Sequence, residues 1–189
     1  MPAIELRPGF FMFAIVLAAL DRSGSVLPIL CAMAVHELAH IVMMLACGGQ
    51  VRRLTLRFAD LQIAASGLGY RQELLSALAG PLVNLICGAA FCMQRPSFAA
   101  YSLMLGIYNL LPVWPLDGGR VLRCVLLARL PITQAEHISE IVSFAACAVL
   151  LLIGVFLTFF RKSGLWPLGT AAYLTVRLLM LARRTDAVQ

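Results

Sequence analysis

Four long apolar stretches constrain the fold of this chain more than any other feature of its sequence. Apart from ionisable residues at positions 36, 37 and 40, none of them carries a charged side chain. They are Ser23 to Gln50, Leu74 to Gln94, Pro96 to Leu116 and Ile141 to Phe160. Each can cross a bilayer as a helix, which takes about 20 residues. Only 13% of the residues are charged, against about 25% in soluble domains, so we predict a membrane protein.

Two weaker apolar segments flank these four. Pro8 to Leu20 is short, and Ser163 to Ala182 contains Arg177 near one end, where a long side chain can reach the headgroups. An alternative for the first segment is the apolar core of a cleaved signal peptide. We predict an all-α polytopic membrane protein with about six transmembrane helices. It forms one domain, residues 1–189, with a core at 23–120 and accessory spans at 8–20, 141–160 and 163–182.

The distribution of basic residues indicates the orientation of these spans. With the amino terminus in the cytoplasm, six spans leave Arg22, Arg95 and the pair Arg161–Lys162 on the outer side. The cytoplasmic side then receives Arg7, Arg52, Arg53, Arg57, Arg71, Arg120, Arg123, Arg129, Arg183 and Arg184. This asymmetry follows the positive-inside rule. The net charge of +6 therefore indicates topology, and we predict no nucleic-acid partner.

Two histidines and a glutamate lie inside the second predicted span. His36 and His40 are four residues apart, so they share one helix face and can bind one metal ion through two ring nitrogens. Glu37 flanks that face, within reach of a metal-bound water. This HExxH arrangement favours a functional site over a chance match, because ionisable groups in a membrane are costly unless paired, metal-bound or hydrated. The third histidine, His137, is interpreted as an ordinary interfacial residue.

A catalytic zinc ion needs one more ligand, because it takes three protein ligands and keeps an open position for water. Asp117 is the candidate, since it ends the fourth predicted span in the run Asn109-Leu-Leu-Pro-Val-Trp-Pro-Leu-Asp-Gly-Gly-Arg120. Two prolines and two glycines there break regular helix, which a membrane tolerates where backbone is buried in protein or lines a wet cavity. We interpret the segment as a bent helix that aims a carboxylate at the metal. The alternative is that Asp117 caps a helix at the interface.

The segment between the second and third spans predicts a small membrane-associated β-hairpin. Arg53 to Phe58 alternates apolar and polar residues with the period of a strand, and Leu61 to Ala65 can pair back on it. One interpretation is that Arg53 to Phe58 forms an exposed edge that adds an extended substrate as a further strand. The other is a hairpin that anchors the protein at the headgroups.

One polar residue of the third predicted span, Asn84, has two interpretations. Its side chain either lines a substrate path or forms a hydrogen bond with a neighbouring helix. The sequence alone leaves both open.

Together these motifs resemble the site-2 protease family of intramembrane zinc metalloproteases, peptidase M50. Its two hallmarks, HExxH and a distant LDG, correspond here to His36-Glu-Leu-Ala-His40 and Leu116-Asp-Gly118. Within that family the chain is most similar to the stage IV sporulation protease FB type, by the run NLLPVWPLDGGR and by Ala79-Gly-Pro-Leu82. The similarity extends over approximately residues 10 to 182.

The resemblance implies a role for each motif residue. His36, His40 and Asp117 would bind Zn²⁺, Glu37 would be the catalytic base, and Asn109 and Pro115 would bind the substrate. The expected reaction is hydrolysis of peptide bonds within or next to membrane segments of membrane-spanning or membrane-tethered proteins, with activation of a tethered regulator as one outcome. The expected location is the bacterial cytoplasmic membrane, as a multi-pass protein in contact with the lipid bilayer and membrane-bound regulators.

Two other functions are weighed against proteolysis. A metal transporter usually needs ionisable ligands on several spans at successive depths, whereas this sequence has one cluster. A catalytically inactive scaffold is the second alternative, although every residue that the chemistry needs is present. Metal uptake would favour the transporter, and normal function after Glu37→Gln would favour the scaffold.

Overall fold

The computed structural model describes residues 3–6, 21, 24–57, 60–66, 69–161 and 164–186. Within them lie six helices: α1 (Val26–Ala46), α2 (Tyr70–Ala90), α3 (Pro96–Asn109), α4 (Asp117–Leu127), α5 (Ile132–Phe159) and α6 (Trp166–Asp186). Three strands complete these elements: β1 (Ala3–Leu6), β2 (Gln50–Arg57) and β3 (Asp60–Ser66). The chain divides into two compact units, residues 1–110 and 111–189.

Three of the described helices are long and apolar enough to cross a membrane. These are α1 and α2, with 21 residues each, and α5, with 28 residues. Helix α6 contains a shorter apolar stretch, Pro167–Leu181. The described part of the chain therefore confirms the predicted helical architecture and contains three candidate membrane spans, and the predicted number of about six spans stays a prediction. The predicted span from Pro8 to Leu20 lies outside the described residues.

The fourth predicted span is shorter than the sequence indicates. Helix α3 ends at Asn109 after 14 residues, which is about 21 Å of helix against an apolar bilayer core of about 30 Å. Residues 110–116 are not helical, and Asp117 begins the new helix α4. The span ends early because Pro112 and Pro115 cannot donate the backbone hydrogen bonds of a continuing helix. Asp117 thus begins a helix after the break, whereas we expected it to end one.

Glycine and proline mark two of the helix boundaries. Gly48 follows α1 with a φ of 78°, a left-handed conformation that glycine adopts without a steric penalty. The next amide, that of Gly49, donates to the carbonyl of Met44 at 2.9 Å and closes the helix end. Pro96 occupies the first position of α3, where its missing N–H costs nothing and its fixed φ suits the helix.

Small residues dominate the face of α2 that packs inside the first unit. Ser76, Gly80, Asn84 and Gly88 are spaced by four residues, so they share one face, and all are buried. A Cβ atom on Gly88 would lie only 2.4 Å from Cγ of Leu103. Small side chains let helix backbones approach closely, and this brings polar groups of α2 within reach of its neighbours.

The first unit also contains a three-stranded sheet in the order β1-β2-β3. Strand β1 pairs parallel to β2, with Ala3 opposite Arg53. Strand β3 pairs antiparallel to β2, with Arg57 opposite Asp60, and an irregularity lies between Val51 and Arg53. The expectation that the strand from Arg53 forms an edge is therefore wrong, because β1 covers its second side. The edges belong to β1 and β3, and membrane association of the hairpin stays a prediction.

The second unit is built around the long helix α5. Helix α4 packs against α5, and α5 packs against α6. A Cβ atom on Gly154 would lie 3.0 Å from Cα of Leu168, so α5 and α6 are in close contact. An ion pair of 3.0 Å joins Arg123 of α4 to Glu136 of α5 at the surface. This unit carries the segment around Asp117.

Candidate metal centre

The two histidines of the HExxH motif converge within the first unit. Both are buried, each with only 4% of its surface exposed. Their rings meet edge to face with centroids 4.7 Å apart, and their Nε2 atoms are separated by 3.1 Å. Residues on the other side of α1, such as Leu38 and Val42, are exposed. The helix therefore directs its two imidazoles inward and aliphatic side chains such as Leu38 and Val42 outward.

The separation of these nitrogen atoms suits a shared metal ion. Zinc–imidazole bonds are about 2.0–2.1 Å long, so two such nitrogens at tetrahedral angles lie about 3.3 Å apart. The observed 3.1 Å between Nε2 of His36 and Nε2 of His40 is close to that value. The pair can accordingly provide two of the ligands of a zinc site.

Helix α2 contacts Nδ1 of each ring, the nitrogen that faces away from the other imidazole. Nδ1 of His40 lies 2.7 Å from the carbonyl oxygen of Ser76. Because a carbonyl only accepts, Nδ1 carries the proton and Nε2 keeps the lone pair that a metal needs. Nδ1 of His36 lies 3.2 Å from Nδ2 of Asn84. Contacts of this type fix ring orientation and tautomer in metal sites.

Gly80 lets α2 approach the two rings. A Cβ atom at this position would lie 2.4 Å from Nε2 of His40 and 2.9 Å from Cε1 of His36. Only a hydrogen atom fits there without displacing the imidazoles. Gly80 belongs to the Ala79-Gly-Pro-Leu82 motif, so the structure gives this motif a steric role next to the two histidines.

Two further predicted site residues belong to the first unit. Glu37 follows His36 on α1 and is half-buried. Asn109 is the last residue of α3, and its Nδ2 donates to the carbonyl of Leu105 at 3.1 Å. This bond occupies a donor of the Asn109 amide at the helix end. The predicted substrate-binding role of Asn109 stays a prediction.

Asp117 begins α4 in the second unit. It is 8% exposed, and its Oδ1 lies 3.4 Å from Nη1 of Arg120. A carboxylate in the first turn is favoured by the partial positive charge of the helix amino terminus. Both positive influences favour the negatively charged form of this carboxylate, which is the form that binds a metal ion.

The segment before Asp117 is fixed by close contacts within the second unit. The backbone N–H of Trp114 donates to Oγ of Ser143 at 3.1 Å, and this hydroxyl donates to the carbonyl of Ser139 at 2.8 Å. A Cβ atom on Gly119 would lie 2.6 Å from the backbone nitrogen of Trp114. The peptide bond between Trp114 and Pro115 is cis. Asp117 is thereby held by α5, and Pro115 has a structural place in this bend.

Sequence reasoning missed one of the two contacts that α2 makes with the histidine rings. The contact of the Ser76 carbonyl with His40 cannot be predicted from the sequence, because every residue has a backbone carbonyl. Asn84 did leave a signal, since a fully buried amide in an apolar span requires a partner. Of its two interpretations, the structure supports the hydrogen bond with a neighbouring helix, because the Asn84 side chain contacts His36 of α1.

Comparison with protein families and curated proteins shows that the chain is similar to a peptidase family and to several zinc metalloproteases. The model of peptidase family M50 matches residues 95–153. A zinc metalloprotease from Methanocaldococcus jannaschii is 27% identical over 80% of this chain and 51% of that protein. Stage IV sporulation protein FB from Bacillus subtilis is 26% identical over 82% of this chain and 58% of that protein. A putative zinc metalloprotease, Rip3, from Mycobacterium tuberculosis is 32% identical over 61% of this chain and 34% of that protein.

The chain thus spans a little over half the length of the first two relatives. A solved structure, a site-2 protease from Methanocaldococcus jannaschii, matches 94% of this chain and 89% of its own with a TM-score of 0.67 and 21% identity. At that identity the likeness concerns the fold. The predicted resemblance to site-2 proteases is confirmed, and the names of the relatives agree with a zinc metalloprotease and with Zn²⁺ as its cofactor.

Proposed function

We infer that this chain, a relative of the site-2 proteases, is an intramembrane zinc metalloprotease that hydrolyses peptide bonds within or next to membrane segments of other proteins. One observation carries the proposal. The Nε2 atoms of His36 and His40 converge to 3.1 Å on a helix that also presents Glu37. Two imidazoles directed at one point inside an apolar helix are costly unless they serve a ligand.

The proposed metal ligands are His36, His40 and Asp117. Two imidazoles and one carboxylate form a donor set that catalytic zinc sites use, with one position left for water or substrate. The burial of the two imidazoles and the low exposure of the Asp117 side chain, 11%, support this assignment. The zinc metalloproteases among the relatives support it further.

Zinc in such a site supplies Lewis-acid polarisation of the scissile carbonyl and lowers the pKa of its water to about 7. Glu37 accepts the proton of the attacking water and then donates it to the leaving amine. The Ser76 carbonyl and Asn84 orient the imidazoles, and Gly80 leaves room for them. Asn109 and Pro115 would bind the substrate, with the Asn109 amide polarising the scissile carbonyl or holding the peptide.

The proposed setting is a multi-pass protein of the bacterial cytoplasmic membrane. Six spans place the HExxH helix with its active residues toward the cytoplasmic half, from which water would enter. The partners would be membrane-spanning or membrane-tethered substrate proteins, including tethered regulators that cleavage activates, together with membrane-bound proteins that control it. The excess of arginines on one side of the spans supports this orientation.

The test compares the wild-type chain with Glu37→Gln in the native host. New protein termini inside membrane segments, detected by mass spectrometry, should appear with the wild type and decrease about 10²–10⁴-fold with the variant. Zinc should stay at about one ion per chain, because the three ligands are untouched. Glu140→Gln, which removes an exposed carboxylate from α5, is the matched control and should cleave normally.

The opposite results identify the alternatives. Undiminished cleavage by Glu37→Gln would reject the base assignment. A Glu37→Gln phenotype identical to wild type, without cleavage by either protein, would favour a scaffold. Metal uptake into liposomes that contain the purified chain would favour a transporter.

A further inference from the structure

The two imidazoles of the candidate metal centre have similar partners on α2. Ser76 and Asn84 are eight residues apart, so they lie on one face of that helix. The Ser76 carbonyl contacts Nδ1 of His40 at 2.7 Å, and the Asn84 amide contacts Nδ1 of His36 at 3.2 Å. Each ring therefore has its outer nitrogen against α2 and its inner nitrogen toward the other ring.

The two contacts differ in how strictly they fix the position of the proton on each imidazole. The Ser76 carbonyl only accepts, which fixes His40 with its proton on Nδ1 and a lone pair on Nε2. The Asn84 side chain offers a donor and an acceptor. If Nδ2 donates to His36, that ring carries its proton on Nε2, which then faces the lone pair of His40 at 3.1 Å. A proton on Nε2 of His36 blocks that nitrogen as a metal ligand.

A rotation of the Asn84 amide by 180° exchanges Nδ2 and Oδ1, which are nearly equal in size. Oδ1 then accepts the Nδ1–H of His36, and both Nε2 atoms present lone pairs. Asn84 is fully buried, and its Oδ1 has no hydrogen-bond partner elsewhere in the part of the chain that the structure describes. The rotation gives the buried Oδ1 a partner in the Nδ1–H of His36 and moves Nδ2 to the position that Oδ1 occupied.

We propose that Asn84 is a positioning residue for the metal centre: its Oδ1 accepts the Nδ1–H of His36 and thereby selects the tautomer that binds zinc through Nε2. This inference rests on the proposed zinc site. It explains why a buried amide interrupts the small and apolar residues from Gly80 to Gly88 of α2. The pair of Asn84 and the Ser76 carbonyl then holds both imidazoles in the same tautomer through one helix.

Two substitutions separate this role from a general contribution to helix packing. Asn84→Asp keeps the size and an acceptor, as in the carboxylate–histidine–zinc arrangement of many metal sites. Asn84→Leu keeps the approximate size and removes the acceptor. Ser102→Ala is the matched control, since Ser102 is also fully buried in the first unit and its Oγ has no partner among the described residues.

The measurement is the zinc dissociation constant of the full chain in detergent, obtained by competition with a chelator. Asn84→Leu should weaken zinc binding about 10–100-fold, the usual effect of losing such a contact. Asn84→Asp should bind zinc at least as tightly as the wild type, because a carboxylate is the stronger acceptor. Ser102→Ala should leave the constant unchanged. Equal weakening by Asp and Leu, or no effect of Leu, would overturn the proposal.

A second measurement keeps the proposal falsifiable if Asn84→Leu fails to fold. The wild-type chain labelled with ¹⁵N-histidine and loaded with zinc should show His36 with a protonated Nδ1 and metal on Nε2. Zinc on Nδ1 of His36 would overturn it. Failure of the zinc site itself is distinguishable, because His36→Ala would then leave zinc binding unchanged. If His36→Ala abolishes binding and Asn84→Leu does not weaken it, only the role of Asn84 is rejected.

Discussion

Nδ1 of His40 lies 2.7 Å from the carbonyl oxygen of Ser76, so the backbone of α2 orients a side chain of α1. Because the acceptor belongs to the main chain, exchanging the side chain at position 76 does not remove it. The bond depends on how closely the two helices approach each other. Gly80, one turn further along α2, makes that approach possible, and the proposed metal centre is therefore sensitive to a single methyl group.

Gly80→Ala should disrupt zinc binding more than it disrupts the fold. The added Cβ would lie 2.4 Å from Nε2 of His40 and 2.9 Å from Cε1 of His36, so the rings must move from the positions that a shared metal ion requires. We expect a loss of zinc affinity of at least about tenfold, comparable to other disturbances of ligand orientation. Chelator competition and thermal unfolding of the purified chain measure the two effects.

Gly88→Ala is the control for Gly80→Ala. Its Cβ would also meet a close neighbour, Cγ of Leu103 at 2.4 Å, but this contact lies between α2 and α3 and involves no histidine. The variant should lower the unfolding temperature and keep the zinc affinity. Zinc binding by Gly80→Ala as tight as that of the wild type would contradict the steric role of Gly80.

Asp117→Ala should lower zinc content and proteolysis together. The substitution removes one of three proposed ligands, and two imidazoles alone hold zinc weakly. Metal analysis of the purified chain should give well under the wild-type ratio of about one zinc per chain. Asp117→Asn, which keeps the shape and loses the charge, should show the same direction of change.

Glu136→Ala provides a charge-matched control in the same unit. Glu136 forms a 3.0 Å ion pair with Arg123, and half of its side chain is exposed, so its removal should have little effect on stability. Zinc content should equal that of the wild type. A full zinc content in Asp117→Ala would mean that another residue is the third ligand.

The sequence predicts that His36 and His40 lie together, but it does not predict most of the groups that surround them, for a physical reason. His36 and His40 share a helix face because of the helical period alone. The contact between His36 and Asn84 depends on the rotation and separation of α1 and α2, which no local pattern specifies. The pairing of β1 with β2 joins residues about 50 positions apart. The prolines before Asp117 predict a bend, but they do not specify that α3 already ends at Asn109.

Ser143→Ala should destabilise the segment that carries Asp117. The hydroxyl of Ser143 is fully buried and accepts the backbone N–H of Trp114. Removing it leaves that N–H without its acceptor, at a cost of about 1–3 kcal/mol. The free energy of unfolding should fall by that amount. Zinc content should also fall, because Asp117 lies three residues after Trp114 and depends on the same segment.

Ser139→Ala is the control for Ser143→Ala. The carbonyl of Ser139 accepts from Ser143 at 2.8 Å, and an alanine retains that carbonyl. We expect the segment before Asp117 to stay in place and zinc content to stay normal. Equal zinc loss in both variants would show that packing of α5, rather than the Trp114 contact, is responsible.

Membrane topology is testable with a native cysteine. Cys92 is exposed and lies in the turn between α2 and α3, next to Arg95. In a chain whose other cysteines are replaced by alanine, an impermeant maleimide should label Cys92 from outside intact cells. Cysteines introduced near Arg53 or as Ala187→Cys should be labelled only after permeabilisation. The reverse pattern would place the HExxH helix in the opposite orientation.

Strand addition of a substrate should depend on β3 rather than on β2. Strand β2 is paired with β1 on one side and with β3 on the other. Leu56→Pro would therefore disturb an interior strand and would not test whether a free edge binds the substrate. Gln62 and Ile63 lie in the regular part of β3 opposite Thr55 and Leu54. In an antiparallel ladder, successive residues direct their amides to opposite sides. Of the variants Gln62→Pro and Ile63→Pro, one therefore removes a donor to β2 and the other removes a donor on the free edge.

The proline variant that removes the amide on the free edge of β3 should retain the sheet and should cleave helical substrates more slowly. Hydrogen exchange of β2 amides identifies it as the proline variant with wild-type protection. A substrate captured with Glu37→Gln is then assayed as its native helix and as a helix-destabilised form. Cleavage of the helical form should fall more than cleavage of the extended form, because an edge that pairs with substrate amides helps to unwind it. Cleavage of both forms at wild-type rates would show that the β3 edge takes no part, and the hairpin would then be an anchor at the headgroups.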